Sequence, residues 1–216
     1  MQSFFETELT KLRKRILRML ELVDTQLDKS GESLLNQDFE MNDIAMKNEN
    51  QLDKLDIKID KLCQRIFALA QPVATDLRFI MSSLRIGNES ERIGDIALDI
   101  ISRSESVRSY PEVLKEYRIN KLLKETIKIN KRITEAYANN NNILAKEVFQ
   151  SCKDMEDNCN QVFNEIIGEM TKKSQVITIA TDLILIVRNI ERISNHMENI
   201  ADSIVFIAEG KRIKHS

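Results

Sequence analysis

Glu91, Asp95 and Asp99 stand four positions apart in this 216-residue chain. On a helix that spacing stacks three carboxylates along one stripe. Like charges so placed repel by a few tenths of a kcal/mol per pair unless something neutralises them. Hard and borderline cations do so, because carboxylate oxygens are their usual ligands. A similar pair, Glu49 and Asp53, lies earlier, and Pro72 stands about midway between the two groups. A helical hairpin that turned at Pro72 would bring Glu49/Asp53 and Glu91/Asp95 to similar heights on touching helices. Four carboxylates from two helices form a metal-binding surface. The same spacing also describes a solvated acidic face partnered by Arg92, Lys54 and Lys58, and spacing leaves both readings open.

Other residue types add less. Gly87 and Gly94 sit one heptad apart in the same stretch. Each costs about 1 kcal/mol relative to Ala inside a helix, which points to close approach of a backbone or ligand. His196 is one of two histidines and could ligate a metal or lie on the surface. Cys63, Cys152 and Cys159 are odd in number and lack a Cys-x-x-Cys pair, so they read as small buried hydrophobes in a reducing compartment. No Glu-x-x-His, activated nucleophile or Gly-rich phosphate loop is present, which argues against an enzyme.

The elements that must position these residues are helices. Five glycines and two prolines are too few for the turns of a β sandwich or barrel. Charged residues reach 31% and nearly cancel, 32 basic against 34 acidic, as expected of long helices with salt-bridged outer faces. A net charge of −2 and a basic cluster confined to the tail (Lys211, Arg212, Lys214, His215) disfavour nucleic acid as a partner. No run approaches the ~18 apolar residues of a membrane span, and the opening residues do not form a secretory signal, so a cytoplasmic location is expected. Exposed acidic and apolar faces on long helices favour self-association as a homodimer.

Apolar periodicity predicts six helices in an all-α protein. The first spans about 3–28 and is stopped by Gly31; the second runs from about Glu32 to Ala70 and ends at Gln71-Pro72; the third covers about Val73 to Val107. A linker-like stretch follows, and Pro111 opens the fourth. The run Asn139 to Asn142 reads as a loop before the fifth, which extends to about Thr171. The sixth runs from about Val176 to Glu209, with Gly210 after it.

These helices form two groups of three, predicted as repeats over 1–108 and 109–216. Ile86, Glu91, Arg92, Ile93 and Ile100 recur one hundred positions later as Ile186, Glu191, Arg192, Ile193 and Ile200. Asp95 and Asp99 become Asn195 and Asn199. Amphipathicity alone does not repeat a Glu-Arg-Ile block.

Gln71-Pro72-Val73-Ala74-Thr75-Asp76-Leu77-Arg78 with Glu91-Arg92-Ile93-Gly94-Asp95 resembles the first repeat of PhoU proteins. Ile190 to His196, then Asn199-Ile200-Ala201-Asp202, with Gly210 and His215 near the end, resembles the second. The resemblance implies two three-helix repeats in a cytoplasmic, non-enzymatic regulator of phosphate homeostasis. It implies two partners, the ATPase of a phosphate ABC transporter and a sensor histidine kinase, with membrane association only through them. Phosphate uptake and starvation signalling would be restrained when phosphate is plentiful. It also implies iron or zinc clusters on Glu/Asp-x-x-x-Asp motifs, with Mg or Mn as further candidates. The matching positions are Glu49/Asp53 and Glu91/Asp95, continued by Asp99. The second repeat is degenerate: its candidates are Asp157, Glu191, Asn195 and Asn199, and an Asn supplies no charged carboxylate. The fifth-helix motif is unsettled among Asp154, Glu156 and Asp157.

Overall fold

A computed structural model describes residues 4–36, 40–107, 111–172 and 177–213. Among them are seven helices and no strand: α1 (Phe4–Asn36), α2 (Glu40–Leu69), α3 (Ala74–Val107), α4 (Pro111–Glu116), α5 (Ile119–Ala138), α6 (Asn142–Lys172) and α7 (Ile177–Glu209). The expected repeat boundary at 108/109, the link at 173–175, Lys214 and His215 lie outside the described residues.

Two boundaries differ from expectation. Gly31 does not stop the first helix, which continues to Asn36, and the second begins at Glu40 rather than near Glu32. One helical Gly costs about 1 kcal/mol. Burial of Leu27 and Leu34 on either side of it outweighs that cost. The expected fourth helix is broken in two. Arg118 adopts a left-handed backbone, φ 57°, between α4 and α5, which accounts for the seventh helix. Elsewhere local chemistry acts as anticipated. Asn140 takes a positive φ, and the Asn141 side chain accepts from the Leu144 amide at 3.1 Å, capping α6. Gly210, at φ 70°, closes α7.

Packing follows the duplication. α1, α2 and α3 pack on one another, as do α5, α6 and α7; α3 against α7 and α1 against α5 join the two groups. α2 and α6 are the outer helices, each packed mainly on two neighbours of its own group. The repeated isoleucines form the core: Ile86, Ile93 and Ile100 and their counterparts Ile186, Ile193 and Ile200 are all fully buried. The three cysteines are buried and unbridged. Burial pushes the Cys63 and Cys159 thiols up to about 12, so they remain neutral apolar filler. No helix among the described residues is long and apolar enough to cross a membrane.

Candidate functional site

The hairpin of α2 and α3 brings four of the expected carboxylates within interaction range. Glu49 is buried, and the charges of Asp95, Asp53 and Glu91 all act on it. Burial first, then a hydrogen bond shared with Asp95 and the three neighbouring charges, raise its pKa to about 8. Near neutral pH the protonated form of Glu49 is therefore favoured. Glu91 is shifted upward as well, by burial and then by Asp95. Asp56 joins the group: burial and then Asp60 and Asp53 raise it.

Gly94 explains how the two helices come close enough. A Cβ placed there would lie 2.5 Å from Leu52 Cδ1 and 3.1 Å from Glu49 Oε2. The Glu49 carboxylate occupies the space that a side chain at 94 would need. Gly87 carries no such requirement, since a Cβ there would meet Asp56 and Ile59 at ordinary distances of 3.4 Å and 3.6 Å.

Glu49 Oε1 is buried without a hydrogen-bond partner, an orphan that a cation would satisfy. The donor set is all carboxylate oxygen, which suits hard and borderline ions. Among the described residues no three acidic, His or Cys groups converge into a ready-made ligand set. Asp53 and Asp95 are exposed. The residues fit a metal in donor chemistry. Arg92, one of the basic partners anticipated for a solvated face, lies 3.4 Å from Glu91 and 3.2 Å from Asp95. Lys58 instead lines a groove shared with α1.

Asp99 does not join this cluster. It pairs with Arg103 at 3.0 Å and accepts from Asn189 Nδ2 at 2.6 Å, across the α3–α7 seam. Burial raises its pKa, but Arg103 and Asn189 outweigh this and hold it below the usual range. The reciprocal contact exists on the other side of the seam. Asn199, the counterpart of Asp99, donates at 3.2 Å to Glu89, the counterpart of Asn189. His196 Nδ1 shares the same carboxylate at 2.7 Å, so His196 is a seam residue. These two hydrogen bonds exchange under the one-hundred-residue offset, which marks the seam as a contact between equivalent faces of the repeats.

The second-repeat candidates are dispersed. Applied to the outer helices, the offset pairs Glu49, Asp53 and Asp56 with Phe149, Lys153 and Glu156. Phe149, Lys153 and Glu156 line a cleft with Asn195. Asp157, the expected acidic ligand, is exposed and does not line that cleft; the register sets it opposite Ile57 in the first repeat. Ser194 replaces Gly94, and its hydroxyl donates to the Cys152 carbonyl at 3.5 Å. Glu191 pairs with Arg188. An aromatic ring and an ammonium thus stand where the first repeat has two carboxylates.

Sequence reasoning missed two further features. Asp202 is buried and holds the tail, accepting from Arg212 Nη1 at 2.7 Å and from the Ile213 amide at 2.9 Å. Arg212, one of the basic tail residues, is docked, and it also stacks over Phe206 at 4.6 Å.

The family model for the PhoU domain matches twice, over residues 16–104 and 119–204. Among similar chains, the phosphate-specific transport system accessory protein PhoU homolog of Aquifex aeolicus is 31% identical, covering 100% of this chain and 96% of that protein. The PhoU of Serratia marcescens, named a phosphate-specific transport system accessory protein, is 26% identical over 98% of this chain and 87% of its own length. The crystal structure of PhoU from Pseudomonas aeruginosa superposes with a TM-score of 0.87 at 26% identity, covering 96% of this chain and 100% of that one.

Proposed function

The chain belongs to the PhoU family, and on that premise we propose that it is a non-enzymatic accessory protein of phosphate transport that restrains uptake when phosphate is plentiful. The observation that carries this is the double match to the PhoU domain over most of the chain. Its partners in this reading are the ATPase of a phosphate ABC transporter and a sensor histidine kinase, met in the cytoplasm. Self-association as a homodimer belongs to the same reading. A chain of helices with two differing outer faces suits an adaptor that binds more than one protein.

The metal in this proposal is held by the first repeat. Glu49, Asp53, Glu91 and Asp95 would hold a divalent or trivalent cation, with iron and zinc the leading candidates and Mg or Mn behind them. The ion would supply the positive charge that four adjacent carboxylates lack. Glu49 would give up its proton, and Gly94 keeps the space that its carboxylate occupies. Phe149, Lys153 and Asn195 make the second repeat the weaker site, and Glu191 and Asn199 are already engaged.

Deleting the gene and measuring phosphate accumulation and starvation-gene expression in high phosphate tests the regulatory role. Both are expected to rise, and no change in either overturns it. Elemental analysis of protein purified without chelator, beside a Glu91→Ala/Asp95→Ala variant, tests the metal. Equal and negligible metal in both removes the site and leaves the regulatory role standing.

A further inference from the structure

A second charged site lies on the opposite flank of α2. Lys11 and Arg15 on α1 face Lys58, Lys61 and Arg65 on α2 across a cleft of about 270 Å³. Five cations line it with one carboxylate, Glu8, in a chain whose net charge is −2. Antiparallel helices usually set opposite charges across such a groove, because facing like charges are destabilising.

The single carboxylate is consumed internally. Glu8 is buried, with Lys11 Nζ at 2.7 Å and Arg65 Nε at 3.5 Å. Glu8 thereby fixes one cation on each helix at the end of the cleft. Arg15 donates to the Lys58 main-chain carbonyl, which sets its guanidinium over the groove. Among the described residues, Arg15, Lys58 and Lys61 have no carboxylate within salt-bridge distance. Three cations are therefore held together with no salt-bridged carboxylate, and Glu8 acts on Arg15 only at longer range.

The second repeat shows that the bundle does not require this. Under the one-hundred-residue offset, Lys58, Lys61 and Arg65 correspond to Asn158, Gln161 and Glu165. There Arg118 clamps Glu165 at 2.6 Å, and Lys121 approaches Glu125 at 3.8 Å. At the corresponding end of the second repeat, where α4 meets α5, the cation Arg118 is neutralised across to α6.

We propose that the α1–α2 cleft is an anion site for phosphoryl groups, built by Arg15, Lys58 and Lys61 and framed by Lys11 and Arg65. Arg offers a planar fork of donors to phosphate oxygens, and Lys offers a mobile point charge. The cations on α2 extend over about 10 Å at 1.5 Å per residue. That length suits a chain of two or three phosphoryl groups better than a single orthophosphate. The acidic surface lies on the α3 side of α2, so anion and cation sites occupy separate flanks of one helix. The anion site stands whether or not the acidic face holds metal.

Calorimetric titration of the full chain with tripolyphosphate at low salt tests this. The variant is Lys58→Glu/Lys61→Glu, whose side chains are exposed; Lys58→Gln/Lys61→Gln serves if charge reversal disturbs folding, judged by circular dichroism. Lys124→Glu/Lys128→Glu in the second repeat changes net charge equally at another place. Saturable binding that weakens at least tenfold in the first variant and is retained in the control supports the site, with a soluble source of phosphoryl groups. Variant-sensitive sedimentation with phosphatidic acid vesicles, absent with phosphatidylcholine vesicles and without tripolyphosphate binding, supports the same site with a membrane-borne source. Binding that the two charge-changing variants weaken equally, or that neither ligand shows, overturns it.

Discussion

α2 and α6 hold equivalent places in their bundles and share a buried seam. Ala45, Leu52, Ile59, Leu62 and Ile66 of α2 correspond to Ala145, Cys152, Cys159, Val162 and Ile166 of α6, and all ten are buried. Their surfaces have parted. α2 carries carboxylates toward α3 and unpaired cations toward α1, whereas α6 carries Phe149 and Lys153 on the one side and a closed Arg118–Glu165 pair on the other. Core positions are constrained by close packing, where a single methylene is felt. Surface positions are free to change chemistry at little cost in stability. The two copies share a scaffold, and the first carries both clusters of like charge.

The tail anchor of α7 and its first-repeat counterpart offer the largest contrast between the two copies. Asp202 is buried with its carboxylate committed to Arg212 and the Ile213 amide, while its counterpart Ser102 is exposed. Removing one partner of a buried charge pair is costly, so Asp202→Ala is expected to lose about 3 kcal/mol. Ser102→Ala should stay within about 0.5 kcal/mol. Urea denaturation of both variants measures the difference, and equal losses would deny that the tail is held by Asp202.

Gly94 and Ser194 give the next largest contrast. Gly94→Ala forces its new methyl against Leu52 and Glu49 and is expected to cost about 1–3 kcal/mol by overpacking. Ser194→Ala removes one long hydrogen bond and should cost about 1 kcal/mol or less. A tolerated alanine at 94 would mean that the helices can separate freely there.

Glu49 sharpens the electrostatic half. Its folded pKa of about 8 lies above the ordinary value of 4.5, so its protonated form is the one folding favours. The stability this contributes is fully present below pH 4.5 and is lost as pH rises through about 8. Metal-free protein should therefore weaken between pH 5 and pH 9. Glu49→Gln, which cannot ionise, should be more stable than the parent by about 1–2 kcal/mol at the alkaline end and close to it at the acid end. Thermal melts across that range check it, and parallel curves for the two proteins would place the proton elsewhere. Phe149, at the equivalent position, supplies no such dependence.

The smallest effect concerns Gly168. A Cβ there meets nothing within 4 Å. Gly168→Ala should stabilise α6 by about 0.5–1 kcal/mol through helix propensity and a less flexible unfolded chain. Denaturant midpoints resolve it, and a loss would reveal a packing demand at that position.

The sequence carried the acidic site far but not completely. Glu49, Asp53, Glu91 and Asp95 were legible because helical spacing and one proline determine which side chains share a height. Asp99 obeyed the same spacing and went elsewhere, since Arg103 and Asn189 compete for it across a seam that spacing on one helix cannot show. Within the acidic run of α6, Asp157 lies off the register that the buried seam imposes, whereas Glu156 keeps it and lines the cleft with Asn195. Gly31 read as a stop and was overridden by burial around it, a tertiary effect stronger than one residue's propensity.

By itself the sequence determined the helical class, the duplicated unit and the isoleucine core, because apolar periodicity and the repeated Glu-Arg-Ile block are local properties of the chain. Tertiary structure alone decided which charges meet. Lys11, Arg15, Lys58, Lys61 and Arg65 are scattered over fifty residues of a nearly neutral composition, and they become one cationic cleft only when α1 and α2 pack side by side. Electrostatic interaction depends on distance through space and on the dielectric between charges, and neither is written in the order of the residues.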